Sequence, residues 1–242
     1  MDREVYDTMR RIERDHWWFA ARRQILADRI AALRLPDNAA ILEVGCGTGG
    51  NLEMLSRFGK VRAIEPDAES RAYAARGGVE VQDGLLPEGL PPFEAPFDLV
   101  AAFDVIEHVD DDLASVAALS RLLKPGGYFI ATVPANAWMW SRHDELHHHK
   151  RRYALPAFRA LFAKAGLTVE KATYFNTLLF PPIAAVRLAK AAIGDTAGGD
   201  DAMPSPGLNA VLRLIFALER GLLSALNLPF GVSILLVARR AA

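Results

Sequence analysis

The sequence has one cysteine, Cys46, among its 242 residues. No internal disulfide can form, and the expected compartment is the reducing cytoplasm. There is no uninterrupted apolar run of about 18 residues, so a membrane-spanning helix is not expected. The N-terminal stretch MDREVYDTMRRIERD is charged and lacks an apolar h-region, which argues against a secretory signal. Excess charge is nearly absent: 28 basic and 29 acidic residues leave a net charge of -1. No global field therefore recruits nucleic acid, and no concentrated aromatic–basic face for reading RNA is present. No internal repeat is evident. What the chain does have is apolar material, 51% of its residues. That suffices for the core of one large domain, or of a domain with an insertion.

Residues 1–34 read as a helical lid, with Tyr6, Met9, Ile12, Ile25, Ile30 and Leu33 among its apolar positions; Pro36-Asp37 ends the pattern. Strands and helices then alternate. AAILEV (39–44), KVRAIE (60–65), VEVQD (79–83), FDLVAAF (97–103) and YFIATVP (128–134) read as strands. NLEMLSRF, AESRAYAARGG and DLASVAALSRLL read as helices, and KPGG as a turn before the fifth strand. The alternation predicts an α/β fold, a doubly wound and mostly parallel sheet with right-handed crossovers. LPAFRALFAKAG follows as a helix capped at Gly166, then LTVEKATYF (167–175) and VSILLVARR (232–240) as strands. Between those strands two apolar segments flank the small, acidic GDTAGGDDAMPSPG, expected to be mobile. Pro181-Pro182 precludes one continuous helix there. The domain thus runs over 35–242, with a helical insertion at 176–231.

The stretch LEVGCGTGG carries the most chemistry. Gly45, Gly47 and Gly50 satisfy the spacing G-x-G-x-x-G, a weak signal alone. Glycines here let a ligand approach the backbone between strand and helix. Glu43 stands two residues before the first glycine. A carboxylate there would repel a pyrophosphate but suits a cationic ligand with an amino-acid head. Glu65 ends the second strand, where an acid can accept from both ribose hydroxyls. Asp83 ends the third, where it can accept from an adenine amino group.

Glu43-x-Gly45-x-Gly47-x-Gly49, Glu65, Asp83-Gly84, FDLVAAFDVIEHV and LLKPGGYFIATVP, in this order over roughly 39–135, resemble the class I S-adenosylmethionine-dependent methyltransferases. The resemblance implies a Rossmann-like sheet of seven strands, the last antiparallel and in a hairpin with the sixth. It implies that Gly45, Cys46, Gly47 and Gly49 approach the methionine part. Glu65 with Pro66 would hold the ribose, Asp83 with Gly84 the adenine, and Phe103 and Asp104 would line the floor. HWWF followed by Arg22 resembles a bacterial branch whose acceptors are unassigned.

Methyl transfer from a sulfonium is an in-line displacement that needs alignment, exclusion of water and, for oxygen acceptors, often a base. Trp17, Trp18 and Arg22 are candidates for covering cofactor or acceptor, and Arg22 or Arg23 for pairing with the methionine carboxylate. Packing of these aromatics on the sheet is the competing reading. Four of the six histidines fall in HDELHHH, followed by Lys150, Arg151 and Arg152. His108, His143, His147 and His148 are the candidate bases. A metal on His143 and His147 is opposed by the three adjacent cations, so no metal is assigned. Arg151 and Arg152 suit an anionic part of the acceptor; a solvated loop is the alternative. The insertion could thicken the core, form a homodimer interface, or touch a membrane surface and admit a lipid-linked acceptor. The expectation is a methyltransferase that uses S-adenosylmethionine to methylate an oxygen of a small-molecule or lipid-linked acceptor, without nucleic acid. A nicotinamide-dependent oxidoreductase and a non-catalytic cofactor-binding domain are the rivals.

Overall fold

In the computed structural model, which describes residues 3–193 and 202–242, seven strands form one sheet. They are β1 Ala39–Val44, β2 Gly59–Ile64, β3 Glu80–Gln82, β4 Phe97–Phe103, β5 Leu123–Pro134, β6 Leu167–Phe175 and β7 Ser233–Arg240. Their order is β3-β2-β1-β4-β5-β7-β6. The first five pair in parallel, and β7 lies antiparallel between β5 and β6. The final antiparallel strand implied by the resemblance is therefore present. Strand order reverses between β1 and β4, and the carboxyl ends of these two strands frame the crevice where such sheets bind ligands.

Helices cover both faces, which is why β1 is apolar on both sides up to Glu43 rather than alternating. Ile41 points into one layer with Leu26, Ile30 and Phe216; Leu42 points into the other with Val100, Phe129 and Phe158. The crossovers carry α3 Leu52–Leu55, α4 Ala68–Ala74 and α5 Asp112–Arg121, followed after β5 by α6 Arg142–Leu146 and α7 Leu155–Lys164.

Three expectations need correction. The N-terminal lid is two helices, Arg3–Ile12 and Trp17–Ala31, here αN and αL. His16 caps αL by accepting from the Trp18 amide, and Arg23 donates to the Glu13 and Arg14 carbonyls at 2.6 and 2.7 Å, satisfying backbone groups at the break. The third strand pair lengthens: β5 starts at Leu123 and takes in KPGG, because Leu123 pairs with Phe97 before the register shifts. The helix after the glycine loop is four residues long, not eight.

The insertion holds three helices, Phe180–Ile193, Pro206–Ala217 and Glu219–Ala225, here αA, αB and αC. Pro181 and Pro182 fall in the first turn of αA, where a missing N–H breaks no intrahelical bond. Residues 194–201 of the acidic stretch expected to be mobile lie outside the described residues. αB packs on αL: Trp17 meets Phe216 edge-on at 5.9 Å, and Asn209 bonds the Trp17 amide and the Asp15 carbonyl. Arg220 closes a two-bond ion pair on Asp28, at 2.6 and 2.9 Å. Among the described residues, no helix is long and apolar enough to cross a membrane.

Candidate active site

A cavity of about 660 Å³ opens over the carboxyl ends of β1 and β4, roofed by αN, αL, αA and αB. Its first wall is the glycine loop. Gly45 has φ of 64°, and a Cβ there would lie 2.8 Å from a Val105 methyl, so no other residue fits without displacement. At Gly50 a Cβ would lie 2.5 Å from Glu13 Oε2: the lid carboxylate rests directly on the loop backbone.

Glu43 is 1% exposed. Asn51 donates to its Oε1 at 2.9 Å, and its Oε2 has no hydrogen-bond partner. Burial raises its pKa to about 7 against the opposing Asn51 bond. Glu65 accepts from the Gly47 amide at 2.8 Å, the Asp67 amide at 3.0 Å and the Tyr6 hydroxyl at 3.4 Å. Burial nevertheless raises it. Glu13, also raised mainly by burial, brings a third carboxylate. An orphaned buried carboxylate oxygen beside two more acids is a seat for a cation. The sulfonium and ammonium of S-adenosylmethionine fit that seat.

Gly45, Cys46, Gly47, Glu65, Pro66, Gly84, Phe103 and Asp104 all line the cavity; Glu43, Gly49 and Asp83 do not. β3 ends one residue before Asp83, whose carboxylate pairs with Arg71 at 3.2 Å. Gly84, Leu85 and Leu86 form the wall at that place instead.

Arg22 pairs with Asp104, and its guanidinium sits 4.4 Å from the centre of the Trp18 ring. Asp104 holds this position at a left-handed φ of 57°. Trp17 and Trp18 both reach the cavity, although Trp17 also packs against Phe216. Arg23 lines the cavity too, with its guanidinium on the two carbonyls between the lid helices.

The opposite wall is the histidine face. His143 and His147 stand one turn apart with rings 4.0 Å between centres, and both line the cavity. His148 does not line it: at φ of 55° it turns outward, and His149 enters in its place. Asp144, fully buried, accepts from the Ser141 amide at 2.9 Å, His149 Nδ1 at 2.8 Å and Arg152 Nε at 2.7 Å. Burial works to raise its pKa, but the bonds from His149 and Arg152 outweigh it and hold it below the usual range. His108 lies 4.7 Å from His149, ring to ring. Burial first, then His149 and His147, lower its pKa to about 3, while the His148 backbone bonded to its ring opposes. Glu107 is fully buried with neither carboxyl oxygen hydrogen-bonded, and burial first, then Asp104, push its pKa well above the ordinary range. Glu107, His108 and His149 each bring one ligand-capable atom within 4.8 Å of the others, the one place among the described residues where a divalent ion could find three such donors.

The cations expected to contact an anion are used by the fold. Lys150 pairs with Asp110 at 2.5 Å; Arg151 bonds Asp112 and the Val109 and Asp110 carbonyls; Arg152 bonds Asp144 and the Ala135 carbonyl. Only Arg152 of the three lines the cavity. The remaining wall is largely apolar, Leu179, Pro182, Ile183, Val186 and Leu212, with Arg187, which donates to the Met139 carbonyl, beside them.

Sequence reasoning passed over Glu13, Asn51, Glu107 and His149. Two had a visible signal: Glu107 adjoins His108, and His149 ends the quoted histidine run. Glu13 had none, because its place depends on the break between αN and αL.

A family model described as a methyltransferase domain matches residues 18–172. A ubiquinone biosynthesis O-methyltransferase from Xylella fastidiosa is 38% identical over 109 residues, 41% of this chain and 44% of that protein. The chain thus spans less than half the length of that relative. Among solved structures, an S-adenosylmethionine-dependent methyltransferase from Mesorhizobium loti covers 88% of this chain and 96% of its own, with TM-score 0.58 and 16% identity. Phosphoethanolamine N-methyltransferase 2 of Haemonchus contortus, solved with S-adenosyl-L-methionine, covers 90% of this chain and 52% of its own, with TM-score 0.58 and 18% identity. These two likenesses concern the fold. Sheet order, glycine loop and the match over more than half its length make this chain a member of the class I S-adenosylmethionine-dependent methyltransferases.

Proposed function

We propose that this protein uses S-adenosylmethionine to methylate an oxygen atom of an acceptor with an apolar body, small or lipid-linked. The observation that carries the reading is the two-sided cavity. Glu13, Glu65 and the glycine loop make one end acidic, with Glu43 buried close by, suited to the cationic cofactor. Leu179, Pro182, Ile183, Val186 and Leu212 make the other end apolar, suited to the acceptor. When bound, the cofactor supplies a methyl group on a positively charged sulfur. The chain's residues hold it: Gly45 to Gly47 at the methionine part, Glu65 at the ribose, Phe103 and Asp104 at the floor. Oxygen as the acceptor atom is supported by the name of the Xylella relative.

Delivery from a membrane surface fits the same reading. Leu208, Val211, Leu214 and Leu218 form an apolar stripe on αB, each more than half exposed. Val186 is both exposed and part of the cavity wall. The charged side chains of αA and αB are Arg187, Lys190 and Arg213, all basic, as an anionic lipid surface requires.

The deciding experiment is calorimetry with S-adenosylhomocysteine and, separately, NADH, followed by mass spectrometry of cell extract incubated with enzyme and methyl-labelled cofactor. Binding of S-adenosylhomocysteine and label in an oxygen-methylated, organic-soluble product are expected. Binding of NADH alone, or label on nitrogen, defeats the reading.

A further inference from the structure

We propose that Asn176 is a specificity residue for the acceptor: its side-chain amide pairs with a neutral hydrogen-bonding group, a hydroxyl, carbonyl or ether oxygen, on the acceptor's apolar body. The inference deepens the proposed function and rests on it. Asn176 follows the last residue of β6 and lines the cavity together with Leu179, Val232 and Ser233. It is fully buried, and neither its Nδ2 nor its Oδ1 has a hydrogen-bond partner among the described residues. Buried side-chain amides are nearly always paired, because leaving water without a new partner costs stability. This one offers a donor and an acceptor, both unused, at the apolar end of the cavity.

The backbone does not account for the amide. Asn176 has a left-handed φ of 55°, which favours asparagine over most residues, but glycine takes that conformation with no polar atom to bury. Asn136 supplies the comparison. It too is left-handed, at φ of 63°, just past the carboxyl end of β5, and its Nδ2 donates to the Gly231 carbonyl at 2.9 Å. The Asn176 amide has no such task. Its neighbours fix the turn on both sides. Phe175 stacks on Phe216 with ring centres 6.0 Å apart, Thr177 Oγ1 donates to the Phe230 carbonyl at 2.5 Å, and the Leu178 amide donates to the buried Glu219 at 2.7 Å. The Val232 amide donates to the Asn176 carbonyl at 3.4 Å.

A side-chain amide carries no net charge, so it balances neither a phosphate nor an ammonium. The group it suits is uncharged. Either end can serve, since Nδ2 donates to a carbonyl or ether oxygen and Oδ1 accepts from a hydroxyl. In a largely apolar pocket, one such bond fixes which way round the acceptor lies. A molecule without the group gains no bond there, and the site discriminates against it to that extent.

The test uses the whole protein, methyl-labelled cofactor and cell extract. Asn176→Gly keeps the left-handed turn and removes the amide. It should fold and bind S-adenosylhomocysteine within about twofold of wild type. At limiting extract its rate of label transfer should fall about 10–100-fold, and the gap should narrow as extract is raised, because acceptor binding rather than the methyl step is impaired. The label should also move to a different set of products, which a merely structural role would not cause. Whatever the variant does, the labelled product purified from wild-type reactions should carry an uncharged donor or acceptor besides the methylated oxygen. Asn176→Gly with the rate and products of wild type overturns the proposal. Loss of S-adenosylhomocysteine binding in that variant does so too, by placing Asn176 at the cofactor end. A wild-type product with no uncharged polar group beyond the methylated oxygen is equally fatal. Label on nitrogen defeats the oxygen reading alone, and the comparison of Asn176→Gly with wild type still decides the role of Asn176.

Discussion

Asn51 donates to one oxygen of Glu43 and leaves the other, buried behind the glycine loop, without a partner. An ionised carboxylate oxygen buried in this way costs stability, and a cation seated against it would offset that cost. A carboxyl whose pKa is raised by folding contributes stability below its unfolded pKa and loses it as pH rises through the folded value. For Glu43 the window runs from the ordinary 4.5 to about 7. The cofactor-free protein should therefore be more stable at pH 5.5 than at pH 8 as far as this group is concerned. Glu43→Gln should flatten that slope and raise stability at pH 8, by on the order of 1–3 kcal/mol. The same change should weaken S-adenosylhomocysteine binding about tenfold or more, since a bond to a charged partner is lost. In wild type, affinity should fall as pH drops below about 7, because binding the cation requires the ionised carboxylate. Thermal melts and calorimetry across pH check both; parallel melts for wild type and Glu43→Gln would refute the account.

Arg22 is the lid's cation in an acidic cavity. It is buried against Trp18 and paired with Asp104, with Glu13, Glu43 and Glu107 all sensing its charge. Arg22→Met keeps the volume and removes the charge. The acids then face one another, so the variant should melt lower and bind S-adenosylhomocysteine about 10–100-fold more weakly. Arg22→Lys should recover part of the melting temperature but less of the affinity, since lysine lacks the planar fork. Equal affinity for Met and Arg at this position would show that Arg22 only supports the fold.

What could be read from the chain beforehand follows a physical line. β1, β4 and the glycine loop were legible because period, burial and turn chemistry are local. Gly45 and Glu65 reach the cavity because strand ends fix their direction. Asp83 does not, because β3 is a three-residue edge strand, and Arg71 across the β2–β3 crossover draws its carboxylate away. Choosing among His147, His148 and His149 required knowing that α6 ends at Leu146 and that His148 then turns left-handed. The cationic run gave no hint that Asp110, Asp112 and Asp144 would take all three charges, since two of those partners sit about forty residues away.

αN is strapped to the crossover after β2 by surface ion pairs. Arg3 bonds Asp67 and Glu69, and Arg10 bonds Glu69 at 3.2 Å. These pairs are exposed, so each is weak and screened by salt. Beneath them Tyr6 reaches Glu65. The double variant Arg3→Ala/Arg10→Ala should leave global melting nearly unchanged while amide exchange of residues 3–12 speeds up. Added salt should reproduce that effect in wild type. Release of S-adenosylhomocysteine should also quicken, because αN covers Glu65 in the cavity wall. Unaltered exchange in the double variant would mean that apolar contacts of Val5 and Ile12 hold αN alone.

The apolar stripe on αB makes the last prediction. Val211, Leu214 and the C-cap Leu218 recur at helical spacing on the side turned away from Leu212 and Phe216, with Leu208 exposed at the edge, so the helix has an apolar face that the core does not use. Substituting exposed positions removes no core contact, so Val211→Glu/Leu214→Glu should melt near wild type. Each side chain entering lipid contributes about 1 kcal/mol when half of it is newly buried. Losing two, with two like charges added against an anionic surface, should weaken binding to phosphatidylglycerol vesicles by more than about thirtyfold. Arg213→Glu should act mainly through the salt-dependent part of that binding. Co-sedimentation measures all three. If wild type ignores the vesicles, and light scattering shows a dimer that Val211→Glu/Leu214→Glu converts to monomer, the stripe is covered by a second copy of the chain and the acceptor does not arrive from a membrane through this face.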